Sequence, residues 1–162
     1  MIERILSGGQ TGTDRAGLDF AIENGLEHGG WVPKGRLAED GQVPAKYKMA
    51  EHAFSSYPPR TEANVREADA TVIFTVGPIN DEKGCLLTAS LCLKLKKPFE
   101  VINLLDPATE AEDTFRLAAM LSFPGVKVLN VAGARGSLHP DLEKVKRILR
   151  NAVWYIPGNV SP

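Results

Sequence analysis

The residues with the most evident chemical use lie between Ser7 and Asp14, in the run Ser7-Gly8-Gly9-Gln10-Thr11-Gly12-Thr13-Asp14. Glycines at 8, 9 and 12 would let backbone N–H groups approach an anion, and a helix starting just after them would add its positive end. The hydroxyls of Ser7, Thr11 and Thr13 offer further donors. The pattern is neither a dinucleotide GxGxxG nor a P-loop. Asp14 opposes an anion unless it serves to offset the helix dipole, and Arg15 could clamp either Asp14 or a ligand. The plain reading is a tight turn that needs glycine for its geometry.

Four further groups could act with it. Lys34, Gly35 and Arg36 place two cations on a glycine hinge suited to phosphate or carboxylate. Glu39 and Asp40 are adjacent carboxylates that could bind sugar hydroxyls or a pterin or purine N–H edge, or activate water. Arg60 and Thr61 stand where a helix is expected to start, with Asn64 one turn in. Gly84 and Thr88 mark a second helix start, and Gly133, Arg135 and Ser137 lie in a loop of small residues. Each has a structural alternative: a solvated loop, a capped helix with an exposed arginine, an ordinary helix start, or a left-handed turn with a surface cation.

These residues need elements to carry them. Short apolar runs alternate with helical patterns, which predicts an α/β fold with a parallel sheet. Strands are expected near Arg4–Leu6, Gly29–Val32, Ala70–Phe74, Phe99–Leu104 and Lys127–Val131. Helices are expected over Asp14–Asn24, Glu62–Ala68 with Thr61 as N-cap, and Cys85–Lys96. A capping box at Thr109–Glu112 opens another before Phe123, and Pro140 opens the last, to Val153. Periodicity vanishes from Pro33 to Tyr57, save a helical turn within Lys46–Ala53. Ligands in such sheets bind at the carboxyl ends of the strands, so the loops at 7–14, 32–44, 75–84 and 132–139 should converge. We divide the chain into a ligand-binding domain, 1–153, and a tail, 154–162.

Composition narrows the function. The chain has 162 residues, 43% hydrophobic and 24% charged, as a globular domain does. A net charge of −1 argues against nucleic acid as the main partner. No apolar run is long enough for a membrane span, and the first residues do not read as a signal peptide. Cys85 and Cys92 lie two turns apart on a predicted helix, too far for a disulfide, which suggests a reducing, cytoplasmic setting. The three histidines and two cysteines are too scattered for a metal site, and neither His28 nor His52 has a nucleophile to pair with. No catalytic residue is assigned.

The chain resembles the family named for molybdenum-cofactor carrier proteins, over about Ile5–Ala152. The resemblance rests on SGGQTGTDRAGLD at 7–19, HGGWVPKGRLAEDG at 28–41, Y-x-x-R-T-E-x-N-V at 57–65, DATVIF at 69–74, Lys97-Pro98 and VLNVAGARGS at 128–137. It implies a single-domain, Rossmann-like three-layer sandwich with a mainly parallel sheet, similar to LOG-type phosphoribohydrolases. It also implies a homo-oligomeric carrier, dimer or tetramer, that holds molybdenum cofactor (molybdopterin, a phosphorylated pterin) and passes it to molybdoenzymes. Two loops depart from the pattern. Gly77–Cys85 lacks a Gly-Gly-Thr, and Arg135 is flanked by Ala134 and Gly136 instead of Pro and Glu.

Two other readings stand beside the carrier: a nucleotide N-glycosidase of the LOG type, and a sensor of some phosphate-containing, nucleotide-like ligand without turnover. The carrier reading needs no protein–metal bond, because the pterin supplies its own sulfurs. It needs an anion at Gly8–Gly12, with Lys34, Arg36, Arg60 and Arg135 meeting there and Arg36 removable without harm to the fold. An aromatic patch at Val153–Ile156 would mark the subunit interface.

Overall fold

The computed structural model describes residues 1–107 and 110–155. Its centre is the strand Ala70–Thr75, every residue of which is buried. Such a strand, apolar on both faces, belongs in the middle of a covered parallel sheet. Its alternate side chains enter different clusters. Ala70, Val72 and Phe74 pack with the helices on one face, and Ile73 packs with Cys85 and Ala89 on the other.

In chain order the strands are β1 (Arg4–Leu6), β2 (Glu27–Gly29), β3 (Trp31–Val32), β4 (Leu37–Ala38), β5 (Gly41–Gln42), β6 (Ala50–Glu51), β7 (Ala70–Thr75), β8 (Phe99–Asn103) and β9 (Val128–Gly133). Five of them form one sheet in the order β2-β1-β9-β7-β8, with every pairing parallel. The helices are α1 (Thr13–Glu23), α2 (Tyr57–Glu67), α3 (Lys83–Lys94), α4 (Glu110–Leu121) and α5 (Leu142–Val153). Phe20 of α1, Leu117 of α4 and Ile148 of α5 share one cluster with the sheet. Val65 of α2 and Leu91 of α3 share another. The molecule is therefore a single-domain, Rossmann-like α/β sandwich of three layers.

Several local expectations change. The run Gly29–Val32 is not one strand: Glu27–Gly29 joins β1, while Trp31–Val32 turns off to pair with Ala50–Glu51. Gly30 makes the bend, at φ +125°, where an added Cβ would lie 2.1 Å from the Ser7 carbonyl oxygen. The helical turn expected within Lys46–Ala53 is thus extended. Helix α2 begins at Tyr57, so Thr61 lies inside it and does not cap it. Pro58 and Pro59, which read as breakers, occupy its first turn, where missing N–H groups cost nothing. Helix α5 starts after Asp141, whose carboxylate caps Lys144, and not at Pro140. The Thr109 of the capping box and Ile156, Pro157 and Pro162 of the tail lie outside the described residues. The aromatic patch shrinks: Val153 is buried, Tyr155 packs on the main core and Trp154 alone is exposed.

Candidate functional site

The loop after β1 is the expected anion cradle, yet the amides of Gly9, Gln10, Thr11 and Thr13 have partners within the protein. Gly9 N–H donates to Ser7 Oγ at 3.1 Å and Gln10 N–H to Asp14 Oδ2 at 3.1 Å. Thr11 N–H donates to Gln10 Oε1 at 3.0 Å and Thr13 N–H to the Ala134 carbonyl at 3.1 Å. The glycines serve close approach by other parts of the chain. A Cβ on Gly8 would lie 1.6 Å from Arg60 Nη1, and one on Gly12, at φ +84°, would lie 2.4 Å from Ala134 O.

Loops 7–14, 37–42 and 134–138 do converge. Glu39 is the knot: Thr11 Oγ1 donates to its Oε1, as does Ser137 N–H at 2.9 Å. Ser137 Oγ donates to Oε2 at 2.8 Å, and Arg135 lies 3.7 Å away. These donors, Thr11 foremost, hold the Glu39 carboxyl below its ordinary range. Asp40 takes a bidentate pair from Arg15 at 2.6 and 2.8 Å, which lowers its pKa likewise. Gln10 Oε1 also accepts Glu39 N–H at 2.9 Å.

The next group stays apart. Arg36 donates to the carbonyls of Val43, Pro44 and Tyr47 at 3.1, 2.9 and 3.0 Å, so it staples its own excursion. Gly35 N–H donates to Glu51, and Lys34 is exposed. Asn64 is buried and makes two hydrogen bonds with the backbone of Trp31. Thr61 Oγ1 donates to the Tyr57 carbonyl of its own helix.

Beside this knot, at the carboxyl edge of β7 and β9, lies a cleft of about 680 Å³. Its walls are the start of α2 (Tyr57, Arg60, Thr61), the start of α3 (Asp81 to Gly84, Thr88) and the loop after β9 (Gly133, Arg135, Leu138), with Gln10 and Asp14 between them. Asp14 is 4% exposed, and burial raises its carboxyl to about 6 even though Arg60 and the Gln10 amide oppose the shift. Arg60 stands 3.7 Å from it, stacks over the Tyr57 ring, and keeps a buried Nε with no hydrogen-bond partner. Such a donor is costly unless something pairs with it. Helix α3 has no side-chain cap, and the space around Gly84 is open. Glu82, buried, accepts Val76 N–H at 2.7 Å and the Cys85 thiol at 3.3 Å.

Of the residues expected at the site, Gln10, Asp14, Arg60, Thr61, Gly84, Thr88, Gly133 and Arg135 line this cleft. Thr11, Arg15, Glu39, Asp40 and Ser137 buttress it. Lys34, Gly35, Arg36 and Asn64 hold the excursion between β2 and α2. Sequence reasoning passed over Tyr57, Asp81, Glu82 and Lys83. The signal for the last three was their place just before a glycine-containing helix start. Among the described residues, no cluster of His, Cys, Asp and Glu forms a metal site, and no helix is long and apolar enough to cross a membrane.

The comparisons agree with this architecture. A crystal structure named "putative molybdenum carrier protein", from Syntrophus aciditrophicus SB, is 40% identical, with a TM-score of 0.85, over 94% of this chain and 95% of that one. No curated protein matches. Residues 5–153 match the family described as circularly permutated YpsA SLOG. With that match running over nearly its whole length, the chain belongs to the circularly permutated YpsA branch of the SLOG family.

Proposed function

We propose that the chain is a carrier that holds a phosphorylated small molecule with a flat ring, and that molybdenum cofactor, a phosphorylated pterin, is that ligand. The observation that carries this reading is the uncapped start of α3, which faces Arg60 and Arg135 across the cleft with Lys83 at its mouth. A helix start and three cations from three elements suit a phosphate. The unpaired Nε of Arg60 suits an acceptor on the ligand. Tyr57 at the rim gives a ring something to stack on, and Asp81 and Glu82 can accept N–H groups from its edge. The volume is that of a small-ligand site. Molybdenum would travel as cargo on the pterin's own sulfurs, and molybdoenzymes would receive it in the cytoplasm. The relative's name supports the same reading.

The test is native mass spectrometry of protein purified without oxygen, followed by calorimetric titration with a pterin phosphate, a nucleoside monophosphate and inorganic phosphate. Wild type should retain or bind the pterin phosphate most tightly, and Lys83→Ala or Arg60→Ala should weaken it roughly ten- to a hundredfold. Equal binding by the folded variants would defeat the reading. One observation favours turnover instead: Asp14, a carboxyl with a pKa of about 6 in a cleft, has the character of a general acid. Free base released from a nucleoside monophosphate, and lost in Asp14→Asn, would establish a nucleotide N-glycosidase.

A further inference from the structure

Arg60 and Asp14 are pressed together on the wall of the cleft. Arg60 Nη1 stands 3.7 Å from Asp14 Oδ2, and the two side chains are only 12% and 6% exposed. Neither has room to withdraw. Arg60 crosses Gly8 through the space that a Cβ would fill, 1.6 Å from Nη1, and the same Cβ would lie 2.9 Å from Asp14 Oδ2. The guanidinium stacks over the Tyr57 ring, 5.5 Å from its centroid. Asp14 sits in the first turn of α1, and its Oδ2 takes the Gln10 N–H at 3.1 Å. The other charged and titratable groups nearby are committed elsewhere or lie in water. Arg15, on the same helix as Asp14, is held by Asp40. From the start of α3, Glu82 accepts Val76 N–H and the Cys85 thiol, while Asp81 and Lys83 are exposed. Arg135, after β9, is exposed at the rim. At depth the cleft therefore sets one lining cation, Arg60, against two carboxyls, Asp14 and Glu82.

We propose that the cleft takes up a proton together with its anion, and that Asp14 is the residue that receives it. The inference rests on the phosphate reading above, which sets the negative charge of the ligand on Arg60. An anion there must share one guanidinium with the carboxylate that already faces it. Two negative groups beside one cation, out of water, repel strongly. A surface carboxylate would swing away. Asp14 is fixed, so protonation relieves the repulsion instead. Burial has prepared it, lifting its carboxyl to about 6 even against the pull of Arg60. An anion on Arg60 cancels that pull and carries the carboxyl through neutrality. Above about pH 6, each anion bound then brings in a proton; well below it Asp14 is already neutral and binding takes up none. By linkage the affinity is level on the acid side and falls above neutrality, by as much as about tenfold per pH unit. The anion is held most firmly in mild acid, and its release returns a proton to solution.

The test uses inorganic sulfate, whose own charge stays constant over the working range, beside inorganic phosphate. Calorimetric titration from about pH 5 to about pH 8, each point in two buffers of different ionisation enthalpy, counts the protons taken up. For wild type and sulfate the count should rise from near zero at the acid end to near one above neutrality, and the affinity should fall in step by roughly tenfold or more. Asp14→Asn keeps the shape of the side chain and an oxygen to accept the Gln10 N–H. It should bind sulfate with an affinity independent of pH and with no proton. A wild type that binds sulfate above neutrality without a proton would overturn the proposal, whatever the variant does. So would a proton count that persists in folded Asp14→Asn, because the proton would then go elsewhere. Arg60→Ala separates this failure from that of the phosphate reading. If wild type binds neither anion, or Arg60→Ala binds both as tightly as wild type, the charge does not sit on Arg60 and both fall. If the anions bind through Arg60 with no proton, only the present proposal falls.

Discussion

Asp14 is a carboxyl at the floor of a cleft, and its burial sets its behaviour with pH. Its folded value of about 6 stands above the 3.8 of an unperturbed aspartate. Between those values the folded chain holds a proton that the unfolded chain has released, so this residue's contribution to stability falls as pH rises from about 4 to about 6. At 1.36 kcal/mol per unit the loss is about 3 kcal/mol. Glu39 and Asp40 work in the opposite sense: their lowered values contribute stability above the ordinary carboxylate range, and it is lost as pH falls through their folded values. Asp14→Asn removes the first effect and leaves the second. The difference in melting temperature, variant minus wild type, should therefore increase from pH 4 to pH 6 and then level off. A flat difference curve would show that Asp14 ionises normally. The same variant tests Arg60, which loses its fixed counter-charge and becomes more available to an anion. Phosphate affinity should rise in Asp14→Asn and fall in Arg60→Ala, as read by calorimetry.

At the scale of elements, the excursion between β2 and α2 is organised by side chains that look like ligand-binding groups. Arg36 sits at φ +55° and donates to three carbonyls of residues 43–47. Charge-assisted hydrogen bonds contribute roughly 1.5–3 kcal/mol each before losses, so Arg36→Ala should destabilise by a few kcal/mol at most. It should speed proteolysis within 36–47 and leave phosphate affinity within about twofold, since Arg36 does not line the cleft. A large loss of binding with normal stability would restore Arg36 to the site. Glu39→Ala should act differently. It frees Thr11 and Ser137, loosens two walls of the cleft, and should reduce both stability and binding.

This is also where the sequence was least legible. Apolar runs located four of the five strands of the main sheet and the centres of five helices, because burial imposes a period on them; β2, Glu27–Gly29, has no such run. Nothing in the run 33–57 has a period, since its order comes from single hydrogen bonds such as those of Arg36 and Glu51. Glycines at 8, 9 and 12 announced close approach correctly, but not what approaches. The answer, Arg60 and the 134–136 segment, lies about 50 and 120 residues away in the chain. Pro58 and Pro59 hid the first turn of α2, and so hid Tyr57 from the site.

For the whole molecule, the covered sheet explains why the thiols are silent. Cys85 and Cys92 lie on the buried face of α3, and burial pushes both pKa values up, helped at Cys85 by the adjacent Glu82. Few thiolates exist at neutral pH, so a thiol reagent should label the native protein slowly and the unfolded protein at two sites. Fast labelling in the native state would mean that α3 opens readily. Gly133 poses a harder constraint on the frame. At φ +149° it passes so close to β7 that an added Cβ would lie 2.1 Å from the Phe74 carbonyl oxygen. Gly133→Ala should cost several kcal/mol and appear as a lower denaturation midpoint.

The place of β9 in the sheet has a consequence for how the protein is made. Strands β1 and β7 do not touch; both hydrogen-bond to β9, which is formed by residues 128–133. A ribosome delivers that strand only after four-fifths of the chain has emerged. Until then β1 with β2, and β7 with β8, are two separate ribbons, each with an apolar edge and no common core. Joining them through β9 closes one long loop, from Arg4 to Val128, and a shorter one, from Ala70 to Leu129, and long-range closure of this kind slows folding. Synthesis should therefore outrun folding. A nascent chain stalled with residue 120 outside the ribosome should be cut rapidly by protease throughout its length, and one stalled beyond residue 155 should resist as a unit.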